Sequence, residues 1–165
     1  DPKTASKKML VNFDRRFDDE MRAAAQEKGY SVRDIVIIAS MIEKETDGTD
    51  QAHIASVIYN RLTNTSAETV GLLGIDATLV YALGRPITQD DYQTADTPYN
   101  TYKYQGLPPG PISNPGMVAI RAAMNPDSTS DYYYVLGNDG KHHFFKTLKG
   151  QQDFIAQQQA EKRSG

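Results

Sequence analysis

Apolar residues recur at helical spacing along the first third of the chain. From Thr4 to Lys28, Met9, Leu10, Phe13, Phe17, Met21 and the Ala24/Ala25 pair step by three or four residues, with polar residues between them. This period predicts an amphipathic helix, and Gly29 suits its stop, where the backbone often turns left-handed. Ser31 with Asp34 three residues on matches a capping box, in which each side chain accepts the other's backbone N–H. It opens a second helix, Val32 to Thr46. At about 100° per residue, Ile35, Ala39, Ile42 and Thr46 form one stripe; Val36 and Ile38 flank it and Ile37 lies opposite. An element apolar nearly all round belongs at the centre of a domain. Thr49 or Asp50 caps the next helix, whose buried face is Ile54, Val57, Ile58 and Leu62.

The pattern then loosens. Thr63 to Gly74 is rich in Thr, Ser, Asn and Gly and reads as a loop. Asp76 is expected to cap a short helix through Leu83, stopped by Gly84 and Pro86, and Thr88-Gln-Asp-Asp91 to cap a further helical turn. Five prolines and three glycines between Ala95 and Gly116 predict an irregular, exposed stretch. Asn114-Pro115 reads as N-cap and first residue of a helix ending near Asn125-Pro126. Tyr132 to Leu136 and His142 to Phe145 are β-prone runs around Gly137-Asn-Asp-Gly140, hence a hairpin. A last helix runs from about Leu148 to Lys162. The fold class is α+β: a helix-rich single domain with a C-terminal antiparallel β-hairpin, residues 1–30 forming an N-terminal amphipathic helix and 31–165 the main domain.

Composition narrows the chemistry. The 165 residues suit one domain, and a formal net charge of −3 argues against nucleic acid as partner. Cysteine is absent, so disulfides, thiolate metal sites and Cys nucleophiles are ruled out. No run of about 18 apolar residues is present to span a bilayer. The chain opens at Asp1 without methionine or apolar leader, so any anchor is expected upstream of it.

Met41-Ile-Glu43-Lys-Glu45-Thr46 is the segment richest in chemistry. Two carboxyls stand near the end of a largely apolar helix, where desolvation disfavours the charged form and raises the pKa. A carboxyl that keeps its proton near neutral pH can donate it to a leaving oxygen. Residues i and i+2 lie about 200° apart on a helix, so the two do not work as a pair, and the pattern alone does not choose between them. The plain alternative is two exposed ends of a helix, paired with Lys44 or Arg61. Tyr99-Asn100-Thr101-Tyr102 and Gly106-Leu-Pro108-Pro109-Gly110-Pro-Ile-Ser113 share the irregular stretch. Tyrosine faces stack on sugar rings, Asn and Thr bond sugar hydroxyls, and prolines stiffen the loop; a rigid surface loop is the alternative. His142 and His143 fall on a strand and point to opposite faces, with no further ligands at metal-site spacing. Ser40 and Ser56 lack a GxSxG context, and no Walker or GxGxxG loop is present.

Together these stretches resemble a known family. Ile38-Ala-Ser-Met-Ile-Glu-Lys-Glu-Thr46, Ile54-Ala-Ser-Val-Ile-Tyr-Asn-Arg-Leu62, Tyr99-Asn-Thr-Tyr102, Gly106 to Gly116 and Tyr132-Tyr-Tyr-Val135 occur in unbroken order. The set is similar to the YceG/MltG family of endolytic murein transglycosylases, over roughly Val32 to Phe154. The resemblance implies a lyase that breaks the MurNAc–GlcNAc bond of peptidoglycan without water, leaving a 1,6-anhydro-MurNAc end. It needs no cofactor and no metal. The family's catalytic glutamate matches Glu45, which would act as acid and then as base. One carboxyl serving twice fits the lack of an obvious second catalytic carboxylate. The implied substrate contacts are Asp76, Thr78, Tyr99, Asn100, Thr101, Tyr102, Gly106, Pro108, Pro109, Gly110 and Ser113. The implied partners are peptidoglycan glycan strands and penicillin-binding synthases. The implied location is the extracytoplasmic face of the cytoplasmic membrane, through an anchor and a LysM-like element upstream.

One segment departs from the family pattern. Where members carry Gln-Ser/Thr-Asp-Pro-Thr, this chain has Gly74-Ile-Asp76-Ala-Thr78: Asp76 and Thr78 survive, the Gln and Pro do not. That departure supports the rival reading, a non-catalytic glycan- or synthase-binding module.

Overall fold

A computed structural model describes residues 15–46 and 48–165; the part of the first predicted helix from Thr4 to residue 14 lies outside the described residues. Among them are seven helices and one hairpin: α1 (Arg15–Lys28), α2 (Val32–Glu45), α3 (Gln51–Thr63), α4 (Asp76–Leu83), α5 (Asp91–Thr94), α6 (Met117–Met124), β1 (Tyr133–Leu136), β2 (His142–Phe145) and α7 (Leu148–Ser164). This is the helix-rich α+β arrangement that the pattern predicts.

The core forms around α2. Eight consecutive residues, Ile35 to Ile42, are buried, as expected of a helix apolar all round. Phe17 and Met21 of α1, Ile54 and Ile58 of α3 and Ile120 and Ala123 of α6 join the same cluster. Ile35, Ile38, Met41 and Ile42 have no exposed surface; each buried side chain of this size contributes about 1.5–3 kcal/mol by leaving water. The capping box is present as read: Asp34 N–H donates to Ser31 Oγ and Ser31 N–H to Asp34 Oδ2, both at 3.0 Å. Gly29 takes a positive φ of 76° directly after α1.

Three predicted caps differ. Asp50 stands at the N-cap of α3, but its carboxylate makes no capping bond and turns to Thr46 and His142 instead. Ile75 is the N-cap of α4, so Asp76 is that helix's first residue and its side chain is free to face outward. The helix expected at Asn114-Pro115 begins at Met117, with Gly116 extended (φ −76°, ψ 173°). The reason is upstream: Ile112 N–H and the Ser113 hydroxyl both bond Ser40 of α2, which ties the chain to that helix just before Asn114 and delays the turn into α6.

The hairpin is a two-stranded antiparallel sheet pairing Tyr133 with Phe145, Tyr134 with Phe144, Val135 with His143 and Leu136 with His142. Strand alternation divides it. Tyr134, Phe144 and His142 share one face, where the Phe144 ring stacks on His53 of α3 at 3.4 Å. His143 and Phe145 share the other and meet Phe154 of α7. The two adjacent histidines therefore point apart, as the strand period predicts. No described helix is long and apolar enough to cross a membrane.

Candidate active site

Glu45 is the last residue of α2, and the buried helix behind it sets its depth. Burial separates the two acids: Glu43 is exposed, with its carboxylate oxygen beside Gly116, whereas Glu45 is partly buried. The Tyr134 hydroxyl, from the inward face of β1, lies close enough to the Glu45 carboxyl to influence its charge. Desolvation by burial pushes the Glu45 pKa above the usual carboxylate range. The Tyr134 phenol opposes that rise, the negative charge of Asp76 adds to it, and the cationic side of Arg61 and His142 opposes it; the net direction is upward.

Arg61 of α3 ties the surrounding pieces together. Its Nε donates to Tyr132 O at 2.7 Å and its Nη1 to Leu73 O, so one guanidinium holds both the entry to the hairpin and the approach to α4. Its carbon lies 5.6 Å from the Tyr134 ring centroid and 5.7 Å from that of Tyr133, within cation–π range. His142 makes a second tie. Its Nδ1 bonds Asp50 Oδ2 at 2.8 Å, Asp50 Oδ1 accepts from the Thr46 hydroxyl at 2.5 Å, and its ring edge meets Tyr134 at 5.5 Å. The residue following Glu45 is thereby linked to the Tyr134 ring beside Glu45.

On the other side stands Asp76, exposed at the first position of α4. Tyr102 donates to its Oδ1 and Tyr92 to its Oδ2 at 3.2 Å, with the two rings edge to face at 4.6 Å. Burial and the neighbouring Asp76 carboxylate push the Tyr102 phenol up, with smaller pushes from Tyr92 and Glu45, so it stays a neutral donor. Gly74 packs beside the Tyr102 ring and takes a left-handed φ of 57°, a backbone conformation that favours glycine.

The predicted contact residues fall into three groups. Tyr102 and Asp76 stand beside Glu45. Thr78, Asn100 and Thr101 are buried, with side chains turned inward. Thr101 Oγ1 accepts the Ile75 N–H at 2.9 Å, Thr78 Oγ1 donates to Ile75 O at 2.8 Å, and Asn100 donates to Ala95 O at 2.9 Å while accepting the Tyr102 N–H at 3.1 Å. These three hold the backbone that presents Tyr102 and Asp76. The third group lies along α2. Arg33 donates to Pro109 O at 2.9 Å, Ser113 bonds Ser40 O at 2.9 Å, and Gly116 reaches Glu43, so this loop runs from one end of the helix to the other. Tyr99 belongs at the Arg33 end, with its hydroxyl beside Gly110 and its ring 5.3 Å from Tyr81. Pro108 is buried, and Gly106 turns the chain at φ 86°.

The sequence put none of Tyr134, Arg61, Tyr92, Asp50 or His142 at the site: Arg61 entered only as an ion partner for two exposed acids and Asp50 only as a helix cap. Strand alternation carried part of the signal, since it puts Tyr134 and His142 on one face; which face meets Glu45 is decided by α3. Among the described residues no group of three or more His, Asp or Glu is placed to hold a metal ion. A half-buried acid with a raised pKa, beside an ionised carboxylate and phenol donors, is suited to giving a proton to a leaving oxygen and taking one back.

The chain matches the YceG-like family over residues 1–157. It is 37% identical over 145 residues to an endolytic murein transglycosylase of Bacillus subtilis, covering 86% of this chain and 39% of that protein. It is 35% identical over 116 residues to an endolytic murein transglycosylase of Streptococcus pneumoniae, covering 66% of this chain and 20% of that protein. Among solved structures it is similar to the crystal structure of a YceG-like protein from Listeria monocytogenes, with a TM-score of 0.70 and 38% identity over 84% of this chain and 43% of that one. The chain thus spans less than half the length of these relatives. With the family matched along nearly its whole length, this chain belongs to the YceG-like family.

Proposed function

We propose that this chain carries the catalytic centre of an endolytic peptidoglycan lytic transglycosylase, with Glu45 as general acid and then general base. The observation that carries the reading is the Glu45 carboxyl itself: half-buried at the end of the apolar helix α2, raised in pKa by desolvation, and beside the Tyr134 phenol. The likeness to relatives named endolytic murein transglycosylase supports the choice of substrate.

Protonated Glu45 gives its proton to the oxygen linking MurNAc C1 to GlcNAc. The C1–O bond breaks with its electron pair on the departing oxygen, leaving an oxocarbenium-like ring. The Glu45 carboxylate then takes the proton of the C6 hydroxyl as O6 bonds C1, giving the 1,6-anhydro end and regenerating the acid. No water enters. Tyr134 supports both halves, because a phenol donor stabilises the carboxylate formed in the first step and fixes its orientation for the second. Tyr102 and Asp76 supply the wall beside Glu45 along which a glycan strand lies, and the loop from Gly106 to Ser113, stitched to α2, leads away from it toward Tyr99. The substrate is nascent strand beside penicillin-binding synthases, on the extracytoplasmic face of the membrane.

Digestion of purified glycan strands followed by mass spectrometry tests the reading. Anhydro-ended products are expected from the wild type and none from Glu45→Gln that melts cooperatively and no lower than wild type. Ends heavier by one water would make the enzyme a hydrolase. A Glu45→Gln variant of full activity would remove Glu45 from the chemistry.

A further inference from the structure

Breaking the glycosidic bond places positive charge on the sugar ring, and at that moment Glu45 has just become an anion with its electron density turned to the departing oxygen. Glycosidases of the ordinary kind stabilise such a ring with a second carboxylate. The sequence shows no acid paired with Glu45 on its helix, but the fold brings one from another element. Asp76 begins α4, a short helix in contact with α2, the helix that ends at Glu45; it is exposed, and each of its oxygens is held by a phenol, Oδ1 by Tyr102 and Oδ2 by Tyr92. Two donors on two oxygens fix the plane of the group. Both donors are neutral, kept so by burial and by the Asp76 charge itself, so no bonded cation cancels that charge. The nearby Arg61 is engaged elsewhere, on the Leu73 and Tyr132 carbonyls, and His142 is bonded to Asp50.

We propose that Asp76 is a second catalytic carboxylate of this site, an ionised group fixed beside Glu45 that stabilises the cationic sugar ring formed when the glycosidic bond breaks; the proposal rests on the transglycosylase reading above. Asp76 forms no covalent bond and moves no proton. Its charge acts twice. Before cleavage it favours the protonated form of Glu45, the form the first step consumes. During cleavage it attracts the ring as charge develops there, an interaction absent from the neutral ground state and therefore expressed in kcat. The groups facing Glu45 are Tyr134 from β1, Arg61 from α3, His142 from β2, Tyr102 from its loop and Asp76 from α4; of these only Asp76 is an anion.

Asp76→Asn keeps the shape and removes the charge. The test measures kcat, KM and products on soluble glycan strands, and separately the titration of the Glu45 carboxyl by carbon NMR without substrate. Expected are a kcat lower by roughly 100-fold, on the scale of removing one preorganised transition-state contact, with KM little changed, products still anhydro-ended, and Glu45 titrating at lower pH than in wild type. A rise in KM alone would make Asp76 a sugar-binding residue and overturn the proposal. So would an unmoved Glu45 titration. If Asp76→Asn does not fold, Asp76→Glu decides: charge retained should keep most of kcat and the wild-type titration, and loss of kcat in a folded Asp76→Glu with that titration unmoved overturns the proposal. A wild type that releases no anhydro-ended product would bring down the underlying reading as well, whereas an active wild type with an unaffected Asp76→Asn removes only Asp76.

Discussion

Replacing Thr101 by valine separates two roles that the same residue could play. Its neighbours Tyr99, Asn100 and Tyr102 read as a sugar-contacting turn, and a hydroxyl touching sugar would be exposed. Thr101 is instead 2% exposed, and its Oγ1 accepts the N–H of Ile75, itself 1% exposed, at 2.9 Å. Valine has nearly the same shape, so no cavity opens; what is lost is the acceptor. Ile75 N–H is then a buried donor without a partner, which costs about 1–3 kcal/mol. Thr78 Oγ1 loses its 3.1 Å contact with Thr101 but keeps Ile75 O, so little is added. In a chain of this size each kcal/mol moves the melting temperature by roughly 2–4 °C, so a fall of roughly 2–12 °C is expected by calorimetry. Ile75 directly precedes Asp76, so kcat should fall while KM holds. A melting temperature within about 1 °C of wild type, together with a raised KM, would refute this assignment.

Three further outcomes follow from the geometry. The raised Glu45 pKa means that the folded chain holds this proton more tightly than the unfolded chain, so the cost of ionising it is carried above the unfolded value and absent below it. Glu45→Gln should therefore melt above wild type at pH 8 and level with it near pH 4; a variant melting below wild type at pH 8 contradicts the burial argument. Ser31→Ala removes half of the capping box at the end of α2 remote from Glu45; it should cost about 1 kcal/mol and lower the melting temperature by roughly 2–4 °C with activity unchanged. Val70, exposed at φ 47°, is a β-branched residue in left-handed backbone, and Val70→Asn should raise stability by about 1 kcal/mol in denaturant titration. No gain there would show that the strain is relieved elsewhere in the loop.

The helices and the hairpin were legible because their signals are short-range. An apolar stripe, a Ser–Asp box three residues apart and a Gly-flanked β-prone pair each act within a turn or two of backbone, so α2, its cap and the β1–β2 pairing follow from neighbouring residues. Candidate residues at the site were legible by type. Their roles were not, because a role depends on what lies across the fold.

Thr78, Asn100 and Thr101 have the chemistry of sugar ligands, but folding buries them and turns their hydrogen bonds to Ile75, Tyr92 and Ala95. Asp76 had the look of a helix cap, and only pairing with Tyr102, 26 residues on, makes it an oriented carboxylate. Asp50 joins His142 across 92 residues. Local pattern determined which segments are helix or strand and which residue types could do chemistry, because the energies involved are those of adjacent peptide groups and side chains. Tertiary packing decided which acid is desolvated, Glu45 rather than Glu43, and what surrounds it, because desolvation and charge coupling depend on atoms brought together from distant parts of the chain.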